Sequence, residues 1–202
     1  MLIASAKKES RIPPLEPDTY PARCVGVYDI GEQYSEKYDK YSRQIVLSFE
    51  LPFETIKIDD KDEPRYMSIT TTMALGSKSR LRQILETWRG KAFTEAELNG
   101  FDLAALAGVP CLLSVVQKTS ANGNTYSTIG GVSKLTKGMT VPDPFREPVV
   151  FDLDAPDMNE KIEQLPEWIQ KQIKESKTYK DKMDANPNFM DIDPNDLPFN
   201  EG

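Results

Sequence analysis

The chain of 202 residues contains no histidine. That excludes Ser-His and Cys-His nucleophile pairs, histidine-ligated zinc and imidazole acid–base catalysis. Cysteine is scarce too. Cys24 and Cys111 both sit in apolar, strand-like runs, too far apart in sequence to suggest a zinc site, so they are expected as buried, reduced thiols. No GxxxxGK followed by Ser or Thr is present, and no GxGxxG after a strand, so no phosphate-cradling loop is expected. No apolar run approaches the roughly 20 residues that a membrane-spanning helix needs. The opening segment MLIASAKKESRIPPLEPDTYP lacks the apolar core and cleavage site of a secretory signal, which points to the cytoplasm. Acidic residues are plentiful but form no spaced catalytic set. The run DDKDEP at residues 59–64 lacks the Gly and the closing Glu of a calcium loop and reads as a solvated connection. The expectation is a non-catalytic protein with no cofactor and no metal.

What is present fits a folded domain with chain to spare. Hydrophobic residues make up 39% and charged residues 28%, ordinary values for a globular protein. The net charge of −7 is unevenly placed. Residues 1–145 carry 18 Lys and Arg against 18 Asp and Glu, whereas residues 146–202 carry 7 against 14. A neutral body with an acidic C-terminal quarter suits a protein whose tail docks elsewhere.

Hydrophobic patterning divides the chain further. Residues 1–19 form a proline-rich lead-in. Strands are expected at 20–30, 43–51, 65–75, 110–118 and 125–135, each rich in β-formers or alternating in polarity. Ile45, Leu47 and Phe49 fall on one face of the second strand, and Pro52 is expected to end it. The charged, tyrosine-bearing stretch 31–41 reads as a connection. Between the third and fourth strands, Leu81, Ile84, Leu85 and Trp88 recur at helical spacing, with Ser77 or Ser79 as cap and Gly90 as stop. Thr94 and Glu97 form a capping-box pattern. Asn122-Gly123 marks a tight hairpin. The order is that of a mainly β, five-stranded, OB-fold-like Greek-key barrel over residues 20–138, with a helical segment between strands 3 and 4. Residues 139–176 read as a proline-rich arm and short helix, with Ile162, Leu165, Ile169 and Ile173 on one face. Trp88 and Trp168 are expected as core or docking residues. Residues 177–202 read as a flexible acidic tail.

The segment MDIDPNDLPF at residues 190–199 resembles the acidic tip of bacterial single-stranded-DNA-binding proteins. PPLEPDTYPARCVGVYDIGEQ, LETWRGKAFTEAEL and the hairpin with GGVSKLTKGM resemble the single-stranded-DNA-binding proteins of tailed phages and prophages. The resemblance implies sequence-tolerant binding of single-stranded DNA in phage DNA replication or recombination inside a bacterial cell. It also implies recruitment of replication or recombination proteins by the tail, through Asp191, Asp193, Asp196, Leu197, Pro198 and Phe199. In the bacterial tip the Phe is the last residue; here Asn200, Glu201 and Gly202 follow Phe199, so capture of a terminal carboxylate is not expected.

A single-strand binder needs aromatic platforms for bases and cations for phosphates. The densest interleaving is Tyr34, Lys37, Tyr38, Lys40, Tyr41 and Arg43; Arg65, Tyr66, Lys118 and Tyr126 complete the candidate DNA-binding set. The alternative is an OB-like adaptor without nucleic-acid binding, which the neutral body supports. Association of copies into a homo-oligomer is left open.

Overall fold

A computed structural model describes residues 12–185 of the chain. The six tail positions named above lie outside the described residues. The protein is mainly β. Strands β1 (Asp18–Ser35), β2 (Lys40–Ile58) and β3 (Lys61–Thr72) come first. Helices α1 (Arg80–Arg89) and α2 (Glu95–Leu98) follow, then a 3-10 turn, Leu103–Leu106. Strands β4 (Pro110–Thr119) and β5 (Thr125–Ser133) complete a curled antiparallel sheet in the order β3-β2-β1-β4-β5. A short strand β6 (Val149–Phe151) pairs in parallel with β1 at Gly26 to Tyr28. Helices α3 (Met158–Ile162), α4 (Glu167–Glu175) and α5 (Lys177–Ala185) follow. Among the described residues no helix is long and apolar enough to cross a membrane.

Local chemistry sets these boundaries. Ser79 Oγ accepts from the Arg82 amide at the start of α1, and Gly90, at φ 69°, closes it in the left-handed conformation that favours glycine. Thr94 and Glu97 form the reciprocal capping box. Gly123, at φ 78°, turns the β4–β5 hairpin.

Beyond shifts of a few residues at strand ends, three features differ from the sequence expectation. Residues 31–41 are not a long connection: β1 runs on to Ser35, β2 begins at Lys40, and the turn closes with Asp39 at φ 47°. Pro52 does not end β2, because a register shift between Leu51 and Thr55 leaves its missing N–H outside the ladder. Lys177–Ala185 is helical where flexible chain was expected. Ser176 Oγ caps it by accepting from the Tyr179 amide, Lys177 pairs with Asp181 one turn on, and Tyr179 and Met183 pack against a buried cluster.

The β1–β2 ribbon is buried on both faces. Its inner face carries Cys24, Val27, Ile45, Leu47 and Phe49 into the main core with Leu81, Leu85, Trp88 and Leu113. Its outer face carries Tyr28, Ile30 and Val46 into a second core with Phe151, Leu153, Ile162, Leu165, Ile169 and Ile173. The arm and helices α3–α5 are therefore a lid fastened over the outside of the sheet. Arg23 holds the arm by donating to the carbonyls of Val141 (2.8 Å) and Pro142 (3.1 Å), and to that of Gly108 (2.6 Å). Buried Glu50 holds it by accepting the Phe145 amide at 3.0 Å. Gly31, at φ 70°, lies under the α4–α5 junction; an added Cβ would come within 2.8 Å of Leu153 and Ser176. Both cysteines are free and buried, and burial pushes both thiols up, Cys24 to about 12.

Candidate nucleic-acid interface

The expected DNA-binding residues separate into two places. The first is the β1–β2 hairpin tip. Tyr34 and Tyr41 face each other across the ladder with ring centroids 5.2 Å apart, a cross-strand pair set by register. The Tyr34 hydroxyl donates to Asp39 at 2.5 Å, and that bond holds its proton on to higher pH than usual. Tyr38 stands exposed at the turn, with the Lys37 and Lys40 ammoniums 5.2 and 5.9 Å from its ring centre. Neither ammonium is paired with a carboxylate among the described residues.

The second place is a groove where β3 approaches β5. Arg65, Tyr66, Ser68, Tyr126 and Thr128 line a space of about 560 Å³, closed at one end by Ile12 and Pro14 of the lead-in. The lead-in crosses the seam between the sheet's two end strands. Arg65 on β3 donates to the Pro13 carbonyl at 2.8 Å, and Gln117 and Ser127 donate to the Leu15 carbonyl at 2.9 and 3.1 Å. Lys118 is the cross-strand partner of Tyr126 in the β4–β5 register. The Tyr66 hydroxyl donates to Glu50 at 3.2 Å; burial and then the charge of Glu50 push it up to about 12, so it stays neutral.

A further cleft of about 640 Å³ adjoins this groove, and Tyr66 and Ser68 line both. Its other walls include Tyr28, Arg146, Glu147, Leu165 and Trp168. The two tryptophans part company. Trp88 is a core residue, its indole N–H donating to the Pro110 carbonyl at 3.0 Å, but Trp168 is 44% exposed. Ile162, Leu165, Ile169 and Ile173 take the buried face, as their spacing suggests, and Trp168 lies beside it.

Several basic candidates already have partners. Arg43 ion-pairs with Asp29 and, at 2.6 Å, with Asp154, which Lys182 also holds at 2.9 Å. Arg43 thus ties β2 to the lid. Arg65 is held by the lead-in, and Arg146 pairs with Glu63 at 2.7 Å. Arg80 donates to the Ile129 carbonyl at 3.4 Å, and Arg82 pairs with Glu86 along α1. Tyr28 is buried, its ring folded over Gly26 where a Cβ would overlap it.

The carboxylates of Asp29, Asp152 and Asp154 approach within 4.8 Å of one another, a set that could hold a metal ion by count. Arg43 and Lys182 already supply positive charge at that point, so the protein provides its own counter-ions. The residues of the DDKDEP run are spread over a hairpin: Asp59 and Asp60 take positive φ in the turn, while Glu63 faces Arg146. No protein-family model matches the chain, and no curated protein matches it either.

Proposed function

We propose that this protein is a non-catalytic binder of single-stranded DNA, built on a five-stranded OB-fold-like Greek-key barrel with its helical segment between strands 3 and 4. The observation that carries the reading is the open groove on the outside of β3, with Tyr66 in its wall and Tyr126 across from it on β5. Both rings are exposed beside the lead-in that crosses this seam. An exposed ring offers any base a stacking surface without regard to its identity, which suits sequence-tolerant binding. Lys118, opposite Tyr126 in register, and Lys37 and Lys40 at the hairpin tip are the cations for phosphate contacts. In barrels of this kind, the faces of the second and third strands and the loop between the first two are customary nucleic-acid surfaces. The role proposed is in phage or prophage DNA replication or recombination, in the cytoplasm of a bacterial host. The acidic tail, through Asp191, Asp193, Asp196, Leu197, Pro198 and Phe199, recruits partner proteins.

Fluorescence anisotropy of a labelled oligothymidine at low salt tests the reading. Saturable binding by the full chain is expected. No binding at low salt, with or without residues 186–202, would overturn it. A second reading, a protein-interaction adaptor, draws on the engagement of Arg43, Arg65 and Arg146 within the protein. Recovery of replication proteins through the tail, beside a negative DNA result, would favour it.

A further inference from the structure

We propose that the cleft between β3 and α4 is a pocket for one unpaired base of the bound strand, with Trp168 as its stacking surface. This rests on the single-strand reading and adds the lid to the binding site.

An exposed tryptophan on a helix with a separate buried face is the first observation. The buried face of α4 is formed by Ile169 and Ile173, and Trp168 beside it is 44% exposed. Among the described residues its indole N–H has no hydrogen-bond partner and its ring no aromatic neighbour. A large ring held in water beside a cleft is the kind of exposed apolar surface that marks a binding site.

The floor is the second. The register sets Gly26 opposite Ser48, and Ser48 opposite Ser68, on the outer face of three adjacent strands. The Tyr28 ring covers Gly26, and Ser48 and Ser68 form the exposed part of this row, lining the cleft together with Tyr28 and Tyr66. The Ser48 and Ser68 hydroxyls are 2.8 Å apart and share one hydrogen bond. Each retains acceptor capacity, and one retains a proton to donate, so the pair can meet the polar edge of any base. The volume of about 640 Å³ is within the range of small-ligand pockets and accommodates a nucleotide.

Continuity and charge are the third. Tyr66 and Ser68 belong to both cleft and groove, so a strand crossing from Tyr126 past Tyr66 reaches Trp168 without leaving the surface. Arg146 stands at the rim, its side chain 65% exposed and bound to Glu63 through one nitrogen, which leaves further N–H groups for a phosphate.

The test uses the two tryptophans of the full chain. Trp88 is buried and hydrogen-bonded, so a change in emission on titration with oligothymidine reports Trp168. Expected are a saturable change in emission that tracks the anisotropy curve, and loss of acrylamide access to the exposed indole. W168A should weaken binding about five-fold or more. W168F, which keeps a ring and the helix packing, should bind between the two and lose the emission signal. Anisotropy binding with unchanged Trp168 emission and unchanged W168F and W168A affinities would overturn the pocket while leaving single-strand binding in place. Absence of anisotropy binding would overturn both. An emission change with a peptide of residues 186–202, but none with DNA, would assign the cleft to that segment and overturn the proposal.

Discussion

Tyr66 serves two purposes, and substitutions separate them. Its ring faces the groove while its hydroxyl donates to buried Glu50. Y66F should leave oligothymidine affinity close to wild type and cost about 1 kcal/mol of stability, read in urea unfolding. Y66A and Y126A should each lose about 1–3 kcal/mol of DNA binding, read by anisotropy. Gly31 is a purely structural case. At φ 70° and under the Leu153 and Ser176 side chains, it has no room for a Cβ. G31A should lower stability by at least about 1 kcal/mol, since strained backbone and overlap add. At this scale the sequence discloses residue type but not commitment. Arg43 and Arg65 were legible as cations near tyrosines. Their partners, Asp154 and the Pro13 carbonyl, are far along the chain, and nothing local announces them.

Among elements, those with a regular period were legible and those packed on two sides were not. Ile45, Leu47 and Phe49 alternate because the main core takes every second residue of β2. Val46 between them is equally buried, by elements far downstream, so the alternation understates what β2 covers. Helix α5 was missed for a related reason: its cap Ser176 and its docking residues Tyr179 and Met183 gain meaning only against the second core. Its attachment should depend on acidity. The hydrogen bond from Lys182, then that from Arg43, hold Asp154 below the usual carboxylate range. A lowered folded value stabilises above the unfolded value of about 3.9 and loses that contribution as pH falls through the folded value. D154N should therefore lower the urea midpoint at pH 7, and the difference from wild type should shrink progressively as pH falls below the unfolded value.

For the whole molecule, the lid is the least expendable part outside the sheet. A chain ending at residue 138 would bare Tyr28, Ile30 and Val46, an apolar surface on the outside of the β1–β2 ribbon. Such a chain should bind hydrophobic dye and aggregate, whereas one ending at residue 185 should remain folded and monodisperse by size-exclusion chromatography. With Arg43 and Arg65 engaged internally and Arg146 half-committed to Glu63, few cations are free for phosphates. The slope of log affinity against log salt should be shallow, about −2 to −3, corresponding to three or four neutralised phosphates on a single strand.

The burial of β1 on both faces has a consequence for the order of events during synthesis. Every residue from Cys24 to Gly31 is buried, which makes this stretch the best-protected part of an early strand. Half of that protection comes from β6 and α4, which leave the ribosome more than about 100 residues later. Until then the sheet can curl around its inner core with its outer face still wet, and it is in that interval that the nascent chain is most exposed to mispairing or capture by a chaperone. Pulsed labelling of stalled chains should find Tyr28 and Val46 accessible at a length of 150 residues, allowing for those hidden in the exit tunnel, and shielded once α4 has emerged.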